Sequence, residues 1–197
     1  MRRADLPELH YITGVANVAS MVARGILSHR RAEKIAHESV AMQEVQDRRS
    51  PKVVPQGLPL HDYVNLYINA RNPMMFKRHE DHARICVLRL HTDVLDIPGV
   101  VVTDMNAAKG IARFGEVQTG LRRLDRDLVF ADDWRHPADP VAYERHRSIM
   151  CAEVLVPHRV DPGFIIGAYV SCTATHELLR QSAPELDVTI NGHLFFR

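Results

Sequence analysis

Short runs of β-branched, aliphatic and aromatic residues succeed one another along this chain, parted by turn residues and nowhere by a long helical pattern. They fall at residues 9–12, 60–70, 83–91, 100–108, 150–158, 164–172 and 187–196. Runs of this length with alternating side chains read as strands. Helical signals are brief. Asn17 can cap a helix in which Val18, Met21 and Val22 recur at helical spacing, and Gly25 closes it. Pro73 starts a short helix within residues 71–80, and residues 175–182 form another. Residues 30–49 read as loop and short helix, 50–60 as an extended passage set by Pro51, Pro55 and Pro59, and 110–143 as loop-rich and charged. Many strands with few long helices predict an α+β fold with a mixed or antiparallel sheet. At about 150 residues per domain, 197 residues predict one domain over 1–197.

Composition removes several classes. A chain that is 46% hydrophobic can build a core without disulfides. No run approaches the roughly 18 apolar residues of a membrane span, and no long apolar run follows the basic N-terminus as in a secretory signal. The expectation is therefore no membrane. Cys86, Cys151 and Cys172 form no C-x-x-C pair, which fits a reducing cytoplasm. The histidines lack metal-ligand spacing, so no metal is expected. Lysine and arginine total 25 against 24 acidic residues, so a nucleic acid would have to meet a local basic patch.

Five constellations can carry chemistry. Glu153 sits in an apolar strand whose alternation groups it with Cys151 and Leu155, against Ala152, Val154 and Val156. A carboxylate there must be paired, exposed or functional. Arg48–Arg49 precede the proline-rich passage and suit an anion, although most such pairs are solvated. His10, Tyr11 and Thr13, followed by Gly14 and the helix capped by Asn17, can hold a ribose and a phosphate, with a capped turn as the default. His61, Asp62, Tyr63 and Tyr67 can form a polar wall and Met74, Met75 and Phe76 an apolar shelf, although their periodicity equally suits a core. Arg113, Arg145 and Arg147 can meet phosphates, but carboxylates lie among the basic residues of this region. No dinucleotide fingerprint, P-loop, nucleophile elbow or zincin motif occurs.

The order of the pieces is more informative than any one of them. Y-I-T near the start, V-Q-D-R-R, L-H-D-Y-V-N-L-Y with R-N-P-M-M-F, T-D-M-N-A-A and A-E-V-L-V resemble, over residues 10–170, the DarT family of DNA ADP-ribosyltransferase toxins. The resemblance implies an ADP-ribosyltransferase fold, a split mixed or antiparallel sheet with a central NAD cleft and peripheral helices. It implies transfer of ADP-ribose from NAD to a base of single-stranded DNA, thymine first and guanine second, within a toxin–antitoxin system. Glu153 matches the catalytic glutamate, and Arg48–Arg49 the catalytic-arginine region, with Arg48 preferred. Thr13 matches an NAD contact, and His10, Tyr11, Asn17, Tyr63 and Tyr67 are expected around NAD. Met74, Met75, Arg113, Arg145 and Arg147 are expected toward DNA. Related sequences often read Y-H-I-T where this one reads His10-Tyr11-Ile12-Thr13. Either Tyr11 replaces the histidine as donor or the register is shifted. A macrodomain antitoxin of the DarG type is the implied partner of a monomer. The alternatives are a same-fold enzyme acting on protein or RNA, and a non-catalytic nucleic-acid-binding module.

Overall fold

The structure, a computed structural model, describes residues 1–197. In chain order the strands are β1 Leu9–Gly14, β2 Ile26–Leu27, β3 Tyr63–Tyr67, β4 Ile85–Leu90, β5 Val101–Thr103, β6 Phe114–Glu116, β7 Glu153–Pro157, β8 Arg159–Val160, β9 Ile165–Val170 and β10 Val188–Ile190. The helices are α1 Val18–Arg24, α2 His29–Ala32, α3 Gln43–Arg49, α4 Pro73–Lys77, α5 Val117–Arg123, α6 Arg126–Val129, α7 Pro140–Ile149 and α8 Thr173–Ser182. Eight strands form one sheet in the order β10-β9-β4-β1-β3-β7-β5-β6, and β2 pairs with β8. All neighbours in the large sheet are antiparallel except β10 and β9.

The strand runs lie where the sequence places them, with some differences: the two-residue strands β2 and β8 fall outside those runs, and of residues 100–108 only Val101–Thr103 is strand. Of residues 187–196 only Val188–Ile190 is strand, and the chain then coils through a short 3-10 turn. The region 110–143 holds a short strand and helices rather than loop alone. Asp125 caps α6 through the N–H groups of Asp127 and Leu128, and Asp139 caps α7 through those of Val141 and Ala142, with Pro140 at the first turn.

Strand alternation sorts the core onto the two sheet faces. Leu9, Val64, Leu66, Cys86, Leu88, Val154 and Val156 belong to the main cluster, which α1 and α8 join through Val18 and Leu179. Ile12, Tyr67, Val87 and Cys151 belong to a second cluster with Met75 and Phe195. Gly25 ends α1 at φ +87°, and a Cβ there would lie 2.3 Å from the Val160 carbonyl oxygen. Only glycine fits where the chain turns from α1 into the β2–β8 pair.

One irregularity positions the site. β1 pairs with β4 along six residues but meets β3 at a single pair, His10 with Tyr67. Beyond that point the strands part, and a cleft of about 380 Å3 opens between them, flanked by α1 and by residues 35–49. That volume lies in the range of small-ligand sites, about 300–1,000 Å3.

Candidate active site

Beneath the cleft lies a buried ion pair, of which Arg49 lines the cleft and Glu153 sits behind it. β7 pairs with β3 so that Glu153 stands opposite Tyr67. Its carboxylate has no exposed surface. Arg49, the last residue of α3, reaches it as a fork: Nη1 donates to Oε1 and Oε2, and Nη2 to Oε2, each at 3.1 Å. The Ala107 N–H donates to Oε1 at 3.3 Å, and the Glu153 N–H donates to Thr103 Oγ1 at 3.1 Å. Burial pushes the Glu153 carboxyl above the ordinary range, while the Arg49 fork and the Ala107 N–H pull the other way. Such a pair holds one geometry because losing either partner strands the other in a dry interior.

Arg48, the arginine preferred on sequence, does not reach Glu153. It is exposed at the cleft rim, one residue earlier on α3 and so about 100° around the helix. Of the two arginines, Arg49 is the one that pairs with Glu153.

Thr13, Tyr11 and Asn17 line the cleft, as do Tyr63 and Tyr67. Asn17 Nδ2 donates to Thr13 Oγ1 at 3.1 Å and to the Glu38 carbonyl at 2.7 Å, while its Oδ1 accepts from the Glu38 N–H at 2.9 Å. It therefore ties the 35–42 segment to β1. Burial pushes the Tyr11 phenol up to about 12, keeping it an O–H donor. The Tyr63 hydroxyl accepts from the Leu58 N–H at 3.2 Å, which anchors the proline-rich passage. Burial and the Glu153 carboxylate hold the Tyr67 phenol well above its ordinary value.

His10 is placed differently from Tyr11 and Thr13. It stands where β1 and β3 still pair, and its ring lies 3.1 Å from Glu8 Oε1 and 3.2 Å from the Ile68 carbonyl. It lines no part of the cleft, whereas Tyr11, the next residue, does. Met74 lines the cleft, but Met75 is fully buried in the second core cluster, since neighbours on a helix face different ways. Arg147 lines the cleft; Arg145, two positions earlier on α7, is exposed on another face and lies outside it. Arg113 is also exposed and outside the cleft, with its backbone N–H on Asp104.

Other residues of the site escape sequence reasoning. Thr103 and Ala107 orient Glu153, and Lys77, Lys109 and Glu144 line the cleft. The run T-D-M-N-A-A was a usable signal for Thr103 and Ala107, but nothing in it shows that a backbone N–H is the contact. Arg24 is another lining cation with no comparable signal. The three cysteines are free. No group of three histidine, cysteine or acidic side chains is placed to hold a metal, and no helix is long and apolar enough to cross a membrane.

A family model described as "ssDNA thymidine ADP-ribosyltransferase, DarT" matches residues 10–196. A Thermosipho africanus "DNA ADP-ribosyl transferase-DNA ADP-ribosyl glycohydrolase fusion protein" is 30% identical over 176 residues, covering 83% of this chain and 42% of that protein. The chain thus spans about two fifths of that relative's length. The structure of Thermus sp. 2.9 DarT in complex with ADP-ribosylated ssDNA superposes with a TM-score of 0.81 at 24% identity, covering 97% of each chain. The same protein in complex with NAD+ gives a TM-score of 0.76 at 22% identity, covering 97% of this chain and 98% of that one. At these identities the structural likeness establishes a common fold, an α+β architecture on a large, mostly antiparallel sheet. With a family model matched across nearly its whole length, the chain belongs to the DarT family.

Proposed function

We propose that the chain is an NAD-dependent mono-ADP-ribosyltransferase that modifies a base of single-stranded DNA, thymine first and guanine second, and releases nicotinamide. The observation that carries this reading is the buried Arg49–Glu153 pair, whose arginine lines a cleft between parted strands. The family description and the relatives named above support it.

The chemistry follows from the residues. The bond from ribose C1′ to the nicotinamide nitrogen breaks, its electron pair leaves with nicotinamide, and positive charge develops on the ribose. A carboxylate fixed beside that ribose stabilises the charge as it forms. Glu153 is such a group, and it engages a ribose hydroxyl once Arg49 yields one of its oxygens. The base nitrogen then bonds to C1′, and its proton passes to solvent water at the cleft mouth. A base N–H is a poor nucleophile, and a guanidinium beside it favours the deprotonated form. Arg49 takes that role, and alignment of the two reactants supplies much of the rate. Thr13, Tyr11 and Tyr67 form the walls for NAD, and Met74 and Arg147 those for DNA. A base must leave a duplex to enter such a cleft, which favours a single strand.

On this reading residues 1–197 act as one transferase domain, monomeric and cytoplasmic, the toxin of a toxin–antitoxin pair. A macrodomain-type hydrolase that removes ADP-ribose is the fitting antagonist. The fusion of transferase and glycohydrolase in the Thermosipho relative supports that pairing.

Mass spectrometry of a mixed-sequence single-stranded oligonucleotide incubated with protein and NAD tests the reading. The expected result is a gain of one ADP-ribose unit, with fragmentation naming the base. A gain only on RNA or protein would move the activity to another acceptor. No gain on any acceptor, together with no NAD binding, would overturn the enzymatic reading in favour of a binding module.

A further inference from the structure

The wall of the cleft formed by the turn after β5 and by α7 carries two cations that meet on one carboxylate. Arg147 Nη1 donates to Glu144 Oε1 at 2.7 Å, and Lys109 Nζ to Glu144 Oε2 at 3.5 Å. All three residues line the cleft, and the Glu144 side chain is 50% exposed. Lys77 of α4 lines the same cleft and has no ion-pair partner.

We propose that Glu144 holds the place of a backbone phosphate of the single-stranded DNA, and that the strand displaces it from Lys109 and Arg147. The inference rests on the DNA reading above. A carboxylate with one cation on each oxygen matches the two non-bridging oxygens of a phosphodiester, and arginine suits either anion. The location agrees. Lys109 lies two residues beyond Ala107, whose N–H holds Glu153, so no more than about 7 Å of chain separates them. A phosphate there lies within a nucleotide's reach of the reacting base. A half-exposed pair is weakly held, so the exchange is easy. Glu144 thereby lowers affinity for any strand and keeps the site from holding its product.

The Glu144–Arg147 spacing also suits an ordinary pair within a helix, and the test separates the two roles. Anisotropy of a labelled single-stranded oligonucleotide, without NAD, is followed against salt for the wild type and for variants. Glu144→Gln binds about three- to tenfold tighter. Arg147→Gln binds several-fold more weakly, with a slope of log affinity on log salt shallower by about 0.7, the value of one phosphate on a single strand. Glu44→Gln is the control, because Glu44 lines the same cleft and holds no cation. Its gain is smaller than that of Glu144→Gln. If the wild type binds and Glu144→Gln gains nothing, or no more than Glu44→Gln, the phosphate-mimic role is wrong and the DNA reading stands. If the wild type binds no oligonucleotide at low salt, the DNA reading falls and takes this inference with it.

Discussion

A charge removed from water must find its partners inside the protein, and Glu153 finds Arg49 and the Ala107 N–H. Arg49→Ala leaves that carboxylate unpaired, at a cost of about 3–5 kcal/mol, whereas Arg48→Ala at the rim changes stability by no more than about 0.5 kcal/mol. Urea unfolding of the two variants checks this; equal midpoints would refute the burial argument. Glu8 makes a second residue-scale case. Burial pushes its carboxyl up, but hydrogen bonds from His10, Arg89 and Tyr169 outweigh it, and the net value falls from 4.5 to about 2. A folded value below the unfolded one gives stability that is fully present above about pH 4.5 and lost as pH falls toward 2. Glu8→Gln therefore flattens the acid limb of a stability–pH curve and lowers stability at pH 7 by about 1–2 kcal/mol, allowing for solvent screening at Arg89. An unchanged acid limb would remove Glu8 from the account. Alternation within an apolar run made Glu153 legible, but the choice between Arg48 and Arg49 was not. That choice depends on how α3 is rotated against a strand 104 residues away. The position of His10 away from the cleft was hidden for a similar reason, because it stands at the last point where β1 and β3 touch.

Short helices carry the site's side chains, and their caps fix them. Asn72 is buried; its Oδ1 accepts from the Met74 and Met75 N–H groups, and its Nδ2 donates to the Asn69 carbonyl. Pro73 follows at the first turn, so α4 enters the cleft at a set angle. Asn72→Ala should lower stability by about 1–2 kcal/mol, measured as a fall in the urea midpoint. A loss within error would mean that packing of Met75, and not the cap, holds α4. The start of α4 was readable because Pro73 is a local signal, whereas the Asn72 cap is seen only in its bonds. The helices of 110–143 were hidden because charged residues dilute their apolar faces, and Asp125 and Asp139 pass for loop residues until their bonds are seen.

Across the molecule, the cleft is a property of the sheet. Strand existence is written in local alternation, but strand order is not, and the parting of β1 from β3 comes from pairings far apart in sequence. Each of β1's faces joins a different cluster, so the cleft wall is anchored on both sides. The overall charge of +1 hides a cleft lined by Arg24, Arg48, Lys77, Lys109 and Arg147. Composition could not show this clustering, because aspartates elsewhere balance the sum. The family resemblance supplied the cleft's expected role, and the geometry supplied its floor. The most direct test is the rate at which Glu153→Gln, verified as folded by circular dichroism, adds ADP-ribose to a single-stranded oligonucleotide. Transfer at least about 100-fold slower than wild type is predicted, the scale of losing one preorganised electrostatic group. Transfer near the wild-type rate would contradict the assignment of this chemistry to the buried Arg49–Glu153 pair.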